Sequence, residues 1–264
     1  MRQPLLYSVV SGFVLLAVLA VMQCQEGEQR EVDATPPSAA TPTSVFQTIC
    51  ASCHGPMGEG DRALGAPSIA SLPRWYVEEQ MQKFRNGQRG AHPQDINGQK
   101  MRAGIASLSA SEIEEAVDEL VALSAVSHPR TLEGDAVAGE QLYQEHCMAC
   151  HRFNGHGELV FRSASLNGLQ DWYVFHQLGN FQQGIRGYHA EDESGAKMRK
   201  AVSYLTRDQE KRDVVAWLAE LARKFPVKKP AASTAPPVRP STLDTLDTLD
   251  TLDTLDKASP HKNR

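Results

Sequence analysis

The hydrophobic pattern between residues 44 and 225 is that of helices. Trp75–Phe84 and Trp172–Phe181 carry apolar side chains three and four residues apart, which predicts amphipathic helices. Each stretch is followed by a glycine, Gly87 or Gly184, and glycine commonly ends a helix. Neither half of this region alternates strictly between apolar and polar residues, as a half-buried strand would. We therefore predict an all-α fold.

A longer helix is predicted at the end of each half, after short polar side chains that can cap free backbone amides. In the first half the N-cap is expected at Ser109 or Ser111. In the second half it is expected at Thr206 or Asp208. The apolar faces of these helices consist of Ile113, Val117, Leu120 and Val121 in the first half, and of Val214, Trp217, Leu218 and Leu221 in the second.

The two halves are copies of one another. Aligning residues 45–120 with residues 142–217 gives 24 identities in 76 positions without a gap, at a constant offset of 97. Similarity at a fixed offset indicates an internal duplication. Each copy has about 80–90 residues, which is small for an independent hydrophobic core. We expect a bound group to supply part of the interior of each domain.

Composition sets the expected domain boundaries. The two domains are predicted at 44–125 and 138–225, joined by a linker at 126–137. Residues 24–43 are polar and rich in Ala, Thr and Pro, which predicts a flexible tether. Residues 226–264 are rich in Pro and Lys and end in five Thr-Leu-Asp triplets and a short polar run. That composition cannot bury a core and predicts a disordered tail.

The N-terminus predicts export. Residues 1–23 contain an apolar run, Leu5–Met22, behind the single positive charge of Arg2, which fits a signal peptide or an N-terminal membrane anchor. A third interpretation is a lipid on Cys24, which stands directly behind the run. All three interpretations place the chain in the periplasm, either free or attached to the membrane through its N-terminus.

Charge argues against one class of partner. The chain has a formal net charge of −5 and a pI near 6.0, and its Lys and Arg residues are dispersed. A nucleic-acid-binding domain presents a basic patch or stripe. We expect no nucleic-acid partner.

The pattern Cys-x-x-Cys-His occurs once in each half, at Cys50–His54 and at Cys147–His151. It is the signature of covalent attachment of a c-type haem. Two thiols one helical turn apart reach the two vinyl groups of one porphyrin, and the adjacent histidine is held over the iron as proximal ligand. The sequence therefore predicts two covalently bound haem c groups, attached at Cys50, Cys53, Cys147 and Cys150, with His54 and His151 on the iron.

Short helices are expected to lead into these motifs. They are predicted around Phe46–Cys53 and Gly139–Cys150. The aromatic residue four positions before the first cysteine, Phe46 or Tyr143, would face the interior. The haem would then lie against the core of its domain.

A redox dithiol or a zinc site is the alternative interpretation of a Cys-x-x-Cys pair. Both copies, however, carry histidine directly after the second cysteine, and the two pairs are 97 residues apart. That separation is too large for a compact four-cysteine zinc ribbon. The surroundings also lack the alternation of strands and helices expected around a thioredoxin-like motif.

Each copy also offers a sixth ligand in a Gly-x-Lys-Met-Arg segment. Met101 and Met198 each lie 47 residues after the motif histidine. A thioether ligand raises the reduction potential relative to a second histidine. The alternatives are that these methionines fill core gaps, or that His92 and His189, which are also equivalent, are the ligands. We predict methionine, with the two histidines making loop hydrogen bonds or propionate contacts.

The two halves resemble the dihaem cytochrome c4 family and its c553-type relatives. The resemblance covers about residues 44–225, and both halves share Trp-Tyr-Val, Gly-x-Arg-Gly-x-His and Gly-x-x-Met segments in the same order. It implies two tandem class I cytochrome c domains, each a small helical fold around one haem. It also implies two axial pairs, His54 with Met101 and His151 with Met198.

The resemblance implies further roles around each haem. In this family a proline after the haem motif supports the proximal histidine, and Pro67 fits that role. Ala164 stands at the equivalent position, so we expect the support in the second copy to differ or to be absent. Candidates to contact the haem propionates are Trp75, Tyr76 and Arg89 in the first copy, and Trp172, Tyr173 and Arg186 in the second. The alternatives are core packing for the tryptophans and a solvated surface position for the arginines.

Electron transfer is the expected function. An iron with two protein ligands has no position for a substrate, so it only changes its oxidation state. The family resemblance implies a carrier of single electrons between respiratory membrane complexes and a terminal oxidase or reductase, with redox proteins as electron donors and acceptors. The alternatives are a dihaem enzyme of the peroxidase or thiosulfate-oxidising type, and a haem subunit of a larger dehydrogenase or oxidase.

Overall fold

The computed structural model describes residues 43–227. The predicted signal peptide or anchor at 1–23, Cys24, almost all of the tether and all but the first two residues of the tail lie outside the described residues. Within 43–227, no helix is long and apolar enough to cross a membrane.

The described chain is helical, as predicted. In the first copy a π-helical turn, Phe46–Cys50, runs directly into α1. The helices of the first copy are α1 (Ala51–His54), α2 (Arg74–Arg85), α3 (Ile96–Ile105) and α4 (Ala110–Ala122). Those of the second copy are α5 (Ala136–His146), α6 (Met148–His151), α7 (Asp171–Gln182), α8 (Glu193–Val202) and α9 (Asp208–Lys224). The extended pairings between residues 43 and 227 are two isolated β-bridges, Asp61–Ala66 and Glu158–Ser163.

The N-cap of the last helix was predicted correctly in one copy only. Ser109 caps α4, with its side chain accepting from the amide of Glu112 and the Glu112 carboxylate accepting from the amide of Ser109. In the second copy the N-cap is Arg207, so the prediction of Thr206 or Asp208 is wrong. Glu210 accepts from the Arg207 amide at 2.9 Å and thereby satisfies one of the free donors at the start of α9.

Two helices were missed in the sequence, α3 and α8. Each contains one pair of larger apolar residues at helical spacing, Met101 with Ile105 or Met198 with Val202, which alone is too short a pattern to predict a helix. Each starts behind an aspartate N-cap, Asp95 or Asp192, whose carboxylate accepts from the amide of Gly98 or Gly195 at 2.9 and 3.0 Å. The two capped helices contain Met101 and Met198, respectively. Both methionines therefore lie on helices.

The core of each copy contains one aromatic residue that is almost completely buried. Phe46 and Tyr143 are 0% and 1% exposed, which confirms that they face the interior. Tyr143 packs with α7 and α9 residues in the core of the second copy, and its hydroxyl donates to the carbonyl of Arg152 at 2.7 Å. Helices α5 and α9 cross closely at Gly139, where a Cβ would collide with the carbonyl of Asp213.

The segment between the copies is fixed to the second one. The carboxylate of Asp171 accepts from the backbone amides of Thr131 and Leu132 and from the Thr131 hydroxyl. The amide of Asp135 donates to the Asp213 carboxylate at 2.8 Å. Several buried carboxylate bonds thus hold this segment in place, and α5 begins at its end, at Ala136.

Candidate haem sites

The two cysteine motifs occupy equivalent positions at the start of each copy. Cys50 ends the π-helical turn, and Cys53 and His54 lie on α1. Cys147 precedes α6, which carries Cys150 and His151. The first cysteine of each pair is partly buried and the second is exposed. Each motif therefore spans the border between core and solvent, which suits a planar group with one edge exposed.

The motif histidines are held in one orientation. His54 Nδ1 lies 2.7 Å from the carbonyl oxygen of Pro67, and His151 Nδ1 lies 2.9 Å from that of Ala164. A carbonyl only accepts, so Nδ1 carries the proton and Nε2 keeps a free lone pair. Both histidines are buried, at 8% and 7% exposed. Burial is the main reason that the pKa of each imidazole is lowered, which favours the neutral, ligating form.

The expectation that the support would differ in the second copy is wrong. The acceptor is a backbone carbonyl, which Ala164 supplies as well as Pro67 does. The loop is held equally in both copies, because the amides of Gly60 and Gly157 donate back to the carbonyls of His54 and His151. At Gly60, with φ of 83°, a Cβ would collide with the backbone between Pro67 and Ser68. Glycine is therefore required where the loop turns behind the histidine.

The first site is a cavity of about 570 Å³, within the usual size range of a cofactor pocket. Four of its lining residues are the predicted first-copy ligands and attachment points: Cys50, Cys53, His54 and Met101. Apolar side chains from the core, among them Phe46 and Leu120, complete the walls. Two thiols, an imidazole with a free Nε2 and a thioether in one apolar cavity fit a haem c.

The second site repeats this arrangement around the core of the second copy. Cys147 and Met198 both pack against the cluster that contains Tyr143 and Leu221. His151 is buried, and its Nδ1 is bonded to the carbonyl of Ala164. The candidate ligands of the second copy therefore correspond to those of the first.

The rival ligands, His92 and His189, make loop hydrogen bonds. Their Nδ1 atoms accept from the amides of Gln94 and Glu191 at 3.2 and 3.3 Å. Nδ1 is therefore engaged in closing the turn that leads into α3 or α8. The His92 ring also packs edge-on against Tyr188 of the other copy, with centroids 5.4 Å apart.

The candidate propionate residues form a network between the copies. Arg89 donates to the Tyr173 hydroxyl at 2.9 Å, and Arg186 donates to the Tyr76 hydroxyl at 3.2 Å. Arg186 is only 9% exposed, so the surface alternative is wrong for it. Burial opposes the charge of Arg186, yet its pKa is raised because the oxygens of Tyr76 and Tyr173 favour the cation.

The first cavity is closed by the second copy, a feature that the sequence did not reveal. Trp172, Tyr173, His176, Gln177 and Asn180 of α7 line it together with first-copy residues. The identity of Gln80 and Gln177 in the aligned halves was a signal of their importance, because both accept from the interface arginines. The constant offset of 97 residues shows which positions are equivalent, but it does not show that a residue of one copy lines the cavity of the other.

The first thiol of each motif is poorly suited to a dithiol role. Burial, aided by Glu119, raises the pKa of Cys50 to about 11, and burial with the neighbouring Cys150 raises that of Cys147 to about 12. Reactive thiols and metal thiolates need a lowered pKa. The environment of these cysteines therefore favours the thioether interpretation over a redox pair.

Comparison with protein families agrees with this geometry. Residues 136–222 match the family "Cytochrome c", and residues 37–118 match "Cytochrome C oxidase, cbb3-type, subunit III". The chain belongs to the dihaem cytochromes c. Its two domains imply two covalently bound haem c groups, and Cys-x-x-Cys-His is present in both.

Two kinds of relative align with different portions of this chain. The FixP subunit of a cbb3-type cytochrome c oxidase from Bradyrhizobium sp. (strain ORS 278) is 32% identical over 118 residues. That match covers 43% of this chain and only 39% of the FixP protein. A thiosulfate dehydrogenase electron acceptor from Stutzerimonas stutzeri (strain A1501) is 27% identical over 219 residues, which is 79% of this chain and 93% of that protein.

Two solved structures resemble the fold. Thiosulfate dehydrogenase (TsdBA) from Marichromatium purpuratum matches with a TM-score of 0.52 and 30% identity over 72% of this chain and 39% of its own. Cytochrome c4 from Acidithiobacillus ferrooxidans matches with a TM-score of 0.53 and 22% identity over 65% of this chain and 97% of its own. The second match confirms the fold of two tandem class I cytochrome c domains.

Proposed function

We propose that this cytochrome is an exported carrier of single electrons and not an enzyme. The observation that supports this most strongly is the shared cavity of His54 and Met101. We assign His54 with Met101, and His151 with Met198, as the axial pairs. Both axial coordination positions of each iron would then be filled by protein side chains, and no position would be left for a substrate.

A bound haem would supply a one-electron couple, and the residues of the chain would hold and orient it. The carbonyls of Pro67 and Ala164 fix the two imidazoles in one orientation. The apolar walls of the first cavity exclude water from the ring. The exposed Cys53 and Cys150 would hold the haems near the surface of the protein, where an electron could enter or leave.

The proposed donor is an enzyme that oxidises thiosulfate. The support is that relatives named as electron acceptors of thiosulfate dehydrogenase align with most of this chain, whereas FixP aligns with less than half of it. The proposed acceptor is a respiratory complex that ends in an oxidase or reductase. We propose a periplasmic location because c-type haem is attached outside the cytoplasm, with membrane attachment through residues 1–24 as a further proposal.

Stopped-flow mixing tests the carrier role. Three separate mixtures of the oxidised cytochrome are compared. The first contains a thiosulfate dehydrogenase and thiosulfate, the second contains thiosulfate alone, and the third contains peroxide alone. We expect both haems to be reduced in the first mixture only, with two electrons taken up per chain. Thiosulfate oxidation or peroxide consumption by the cytochrome alone would contradict the proposal and favour a dihaem enzyme.

A further inference from the structure

The loop that supports His54 is bonded from its other side by the second copy. Gln170, the N-cap of α7, places its side-chain amide against this loop. Its Oε1 accepts from the backbone amide of Ser68 at 2.7 Å, and its Nε2 donates to the backbone carbonyl of Glu59 at 2.7 Å. Gln170 is 8% exposed and Ser68 is completely buried. The bond between them is therefore shielded from water.

The bond to Ser68 sets the orientation of the group that supports the imidazole. The Pro67 carbonyl, whose oxygen lies 2.7 Å from His54 Nδ1, and the Ser68 amide belong to one peptide group. A peptide group is planar and rigid, so a bond to its N–H also sets the direction of its carbonyl oxygen. Hydrogen bonds in series strengthen one another. Gln170 therefore both orients and strengthens the acceptor of the His54 proton.

The bond to Glu59 acts on the backbone of the same histidine. The Glu59 carbonyl and the Gly60 amide also belong to one peptide group, and the Gly60 amide donates to the His54 carbonyl at 2.6 Å. One side-chain amide of the second copy thus holds two peptide groups, and each of them bonds His54. Loss of the Gln170 amide would release both groups together.

The two copies approach each other closely just before Gln170. At Gly168 of the second copy, which has a φ of 84°, a Cβ would collide with the hydroxyl oxygen of Ser71 in the first copy. Only glycine takes this backbone conformation without strain and leaves room for Ser71. The close contact keeps the chain near enough for the Gln170 side chain to reach the loop.

The second copy has no such support from the first. Pro73 stands at the position equivalent to Gln170, and it is likewise the N-cap of its helix, with φ and ψ of −68° and 145° against −68° and 143°. Proline carries no side-chain amide. Residue 73 therefore cannot hold the loop that supports His151, and the second site serves as an internal reference for the first.

We propose that Gln170 is a positioning residue for the proximal ligand of the first haem. A side chain of the second domain then holds the iron ligand of the first domain in its orientation. The inference rests on the ligation by His54 that belongs to the proposed function. The outer hydrogen-bond partners of a ligating histidine fix its ring and raise its basicity. Separation of the two domains would therefore loosen the Nδ1 bond of His54 and leave that of His151 unchanged.

Proton exchange in the haem-loaded protein tests the proposal. The Nδ1 proton of a histidine bound to ferric haem gives a strongly shifted NMR signal, and its replacement by deuterium can be timed for each of the two haems. Gln170→Met keeps the length of the side chain and removes both of its hydrogen bonds. We expect the His54 proton to exchange about tenfold faster, the factor that corresponds to one hydrogen bond of ordinary strength. The His151 proton should exchange as before.

Two further variants separate the positioning of His54 from a general loosening of the interface. Gln88→Met removes another bond between the copies, which joins Gln88 Nε2 to Glu191 Oε2 at 3.3 Å, and should leave both exchange rates unchanged. Gly168→Ala keeps the glutamine at 170 but moves it away from the loop, so it should also speed the exchange at His54.

The result at each histidine decides the inference. Faster exchange at His54 alone, in Gln170→Met and Gly168→Ala but not in Gln88→Met, supports it. Unchanged exchange at His54 in Gln170→Met would overturn it and leave the carrier function intact. Faster exchange at both histidines would overturn it as well, because it would indicate a general loosening of the protein.

The unsubstituted protein decides the matter if Gln170→Met does not fold. As urea below the unfolding transition separates the domains, the Ser68 amide and the His54 Nδ1 proton should exchange together and ahead of the His151 proton. Independent exchange of the first two would overturn the inference. The absence of His54 from the iron ligands of the unsubstituted protein would overturn both this inference and the proposed function.

Discussion

Arg89 of the first copy donates a hydrogen bond from Nη2 to the hydroxyl of Tyr173 in the second copy, at 2.9 Å. The equivalent pair, Arg186 with Tyr76, is made in the opposite direction at 3.2 Å. These two Arg–Tyr contacts are therefore matched across the interface. The ion pair of Lys83 with Asp192 at 2.7 Å is not, because Asn180 stands at the position equivalent to Lys83. The first site is completed by side chains of the second copy, which would couple haem binding there to the packing of the two domains.

Substitution of Arg186 by glutamine should destabilise this interface. The guanidinium donates to Tyr76, Gln80 and Gln177, and hydrogen bonds to a buried charged group contribute about 1.5–3 kcal/mol each. We expect Arg186→Gln to lower the free energy of unfolding by about 2–4 kcal/mol in urea denaturation of the holoprotein. Arg89→Gln is the matched variant and should cost less, since Arg89 is more exposed. Equal stability of Arg186→Gln and the unsubstituted protein would contradict the role of this network.

Replacement of Met101 by alanine should open the first haem only. The variant loses the thioether that lines the first cavity, so carbon monoxide should bind one reduced iron per chain. The control is Met57→Ala, because the Met57 side chain is exposed and should leave both irons inert. Two intact methionine-ligated haems in Met101→Ala would show that the assigned ligand is wrong.

The stability of the second copy should fall in acid partly through Asp171. Burial opposes its ionisation, but its bonds from Thr131, Leu132 and Trp172 lower its pKa below the usual value. A depressed folded-state pKa contributes stability that is fully present above the unfolded pKa of about 3.9 and is lost as the pH falls through the folded value. Asp171→Asn should therefore be less stable at neutral pH and show a weaker loss of stability in acid. Urea unfolding between neutral pH and about pH 3 measures both, and parallel curves would contradict the assignment.

A methyl group at Gly187 should disturb the second site. Gly187 has a φ of 73°, and a Cβ there would collide with the carbonyl of Gly195 at the start of α8. We expect Gly187→Ala to cost more than about 1 kcal/mol of stability and to weaken the Met198 bond to iron. Gly179→Ala is the control, since a Cβ there meets no atom within 4 Å. In a helix interior it should stabilise the protein by about 0.5–1 kcal/mol, and a similar effect of both variants would contradict the steric argument.

The sequence predicted the parts of this structure that depend on side-chain type. The apolar spacing of Trp75–Phe84 predicted α2, and the cysteine motif predicted the position of His54 at the cavity. The sequence did not predict contacts made by backbone atoms. The support of His151 is the backbone carbonyl of Ala164, which does not depend on the side chain at that position. It also failed at α3 and α8, where one apolar pair at helical spacing behind an aspartate cap is too short a signal to predict a helix.

The contacts between the two domains could not be predicted from the sequence for a different reason. An internal duplication shows which residues are equivalent, but not which copy they serve. Tyr173 was predicted to serve a haem propionate, and the structure places it in the lining of the first cavity, bonded to Arg89. A contact of this kind, in which a residue of one copy lines the cavity of the other, depends on how the two folded domains pack together.

The optical spectrum of the oxidised, exported protein tests the central claim most directly. Methionine sulfur bound to ferric haem gives a weak far-red band, and its intensity is measured per haem. We predict the intensity of two methionine-ligated haems per chain, and no binding of carbon monoxide after reduction. A band from one haem or none, with carbon monoxide binding at the open iron, would contradict the account and favour an enzyme.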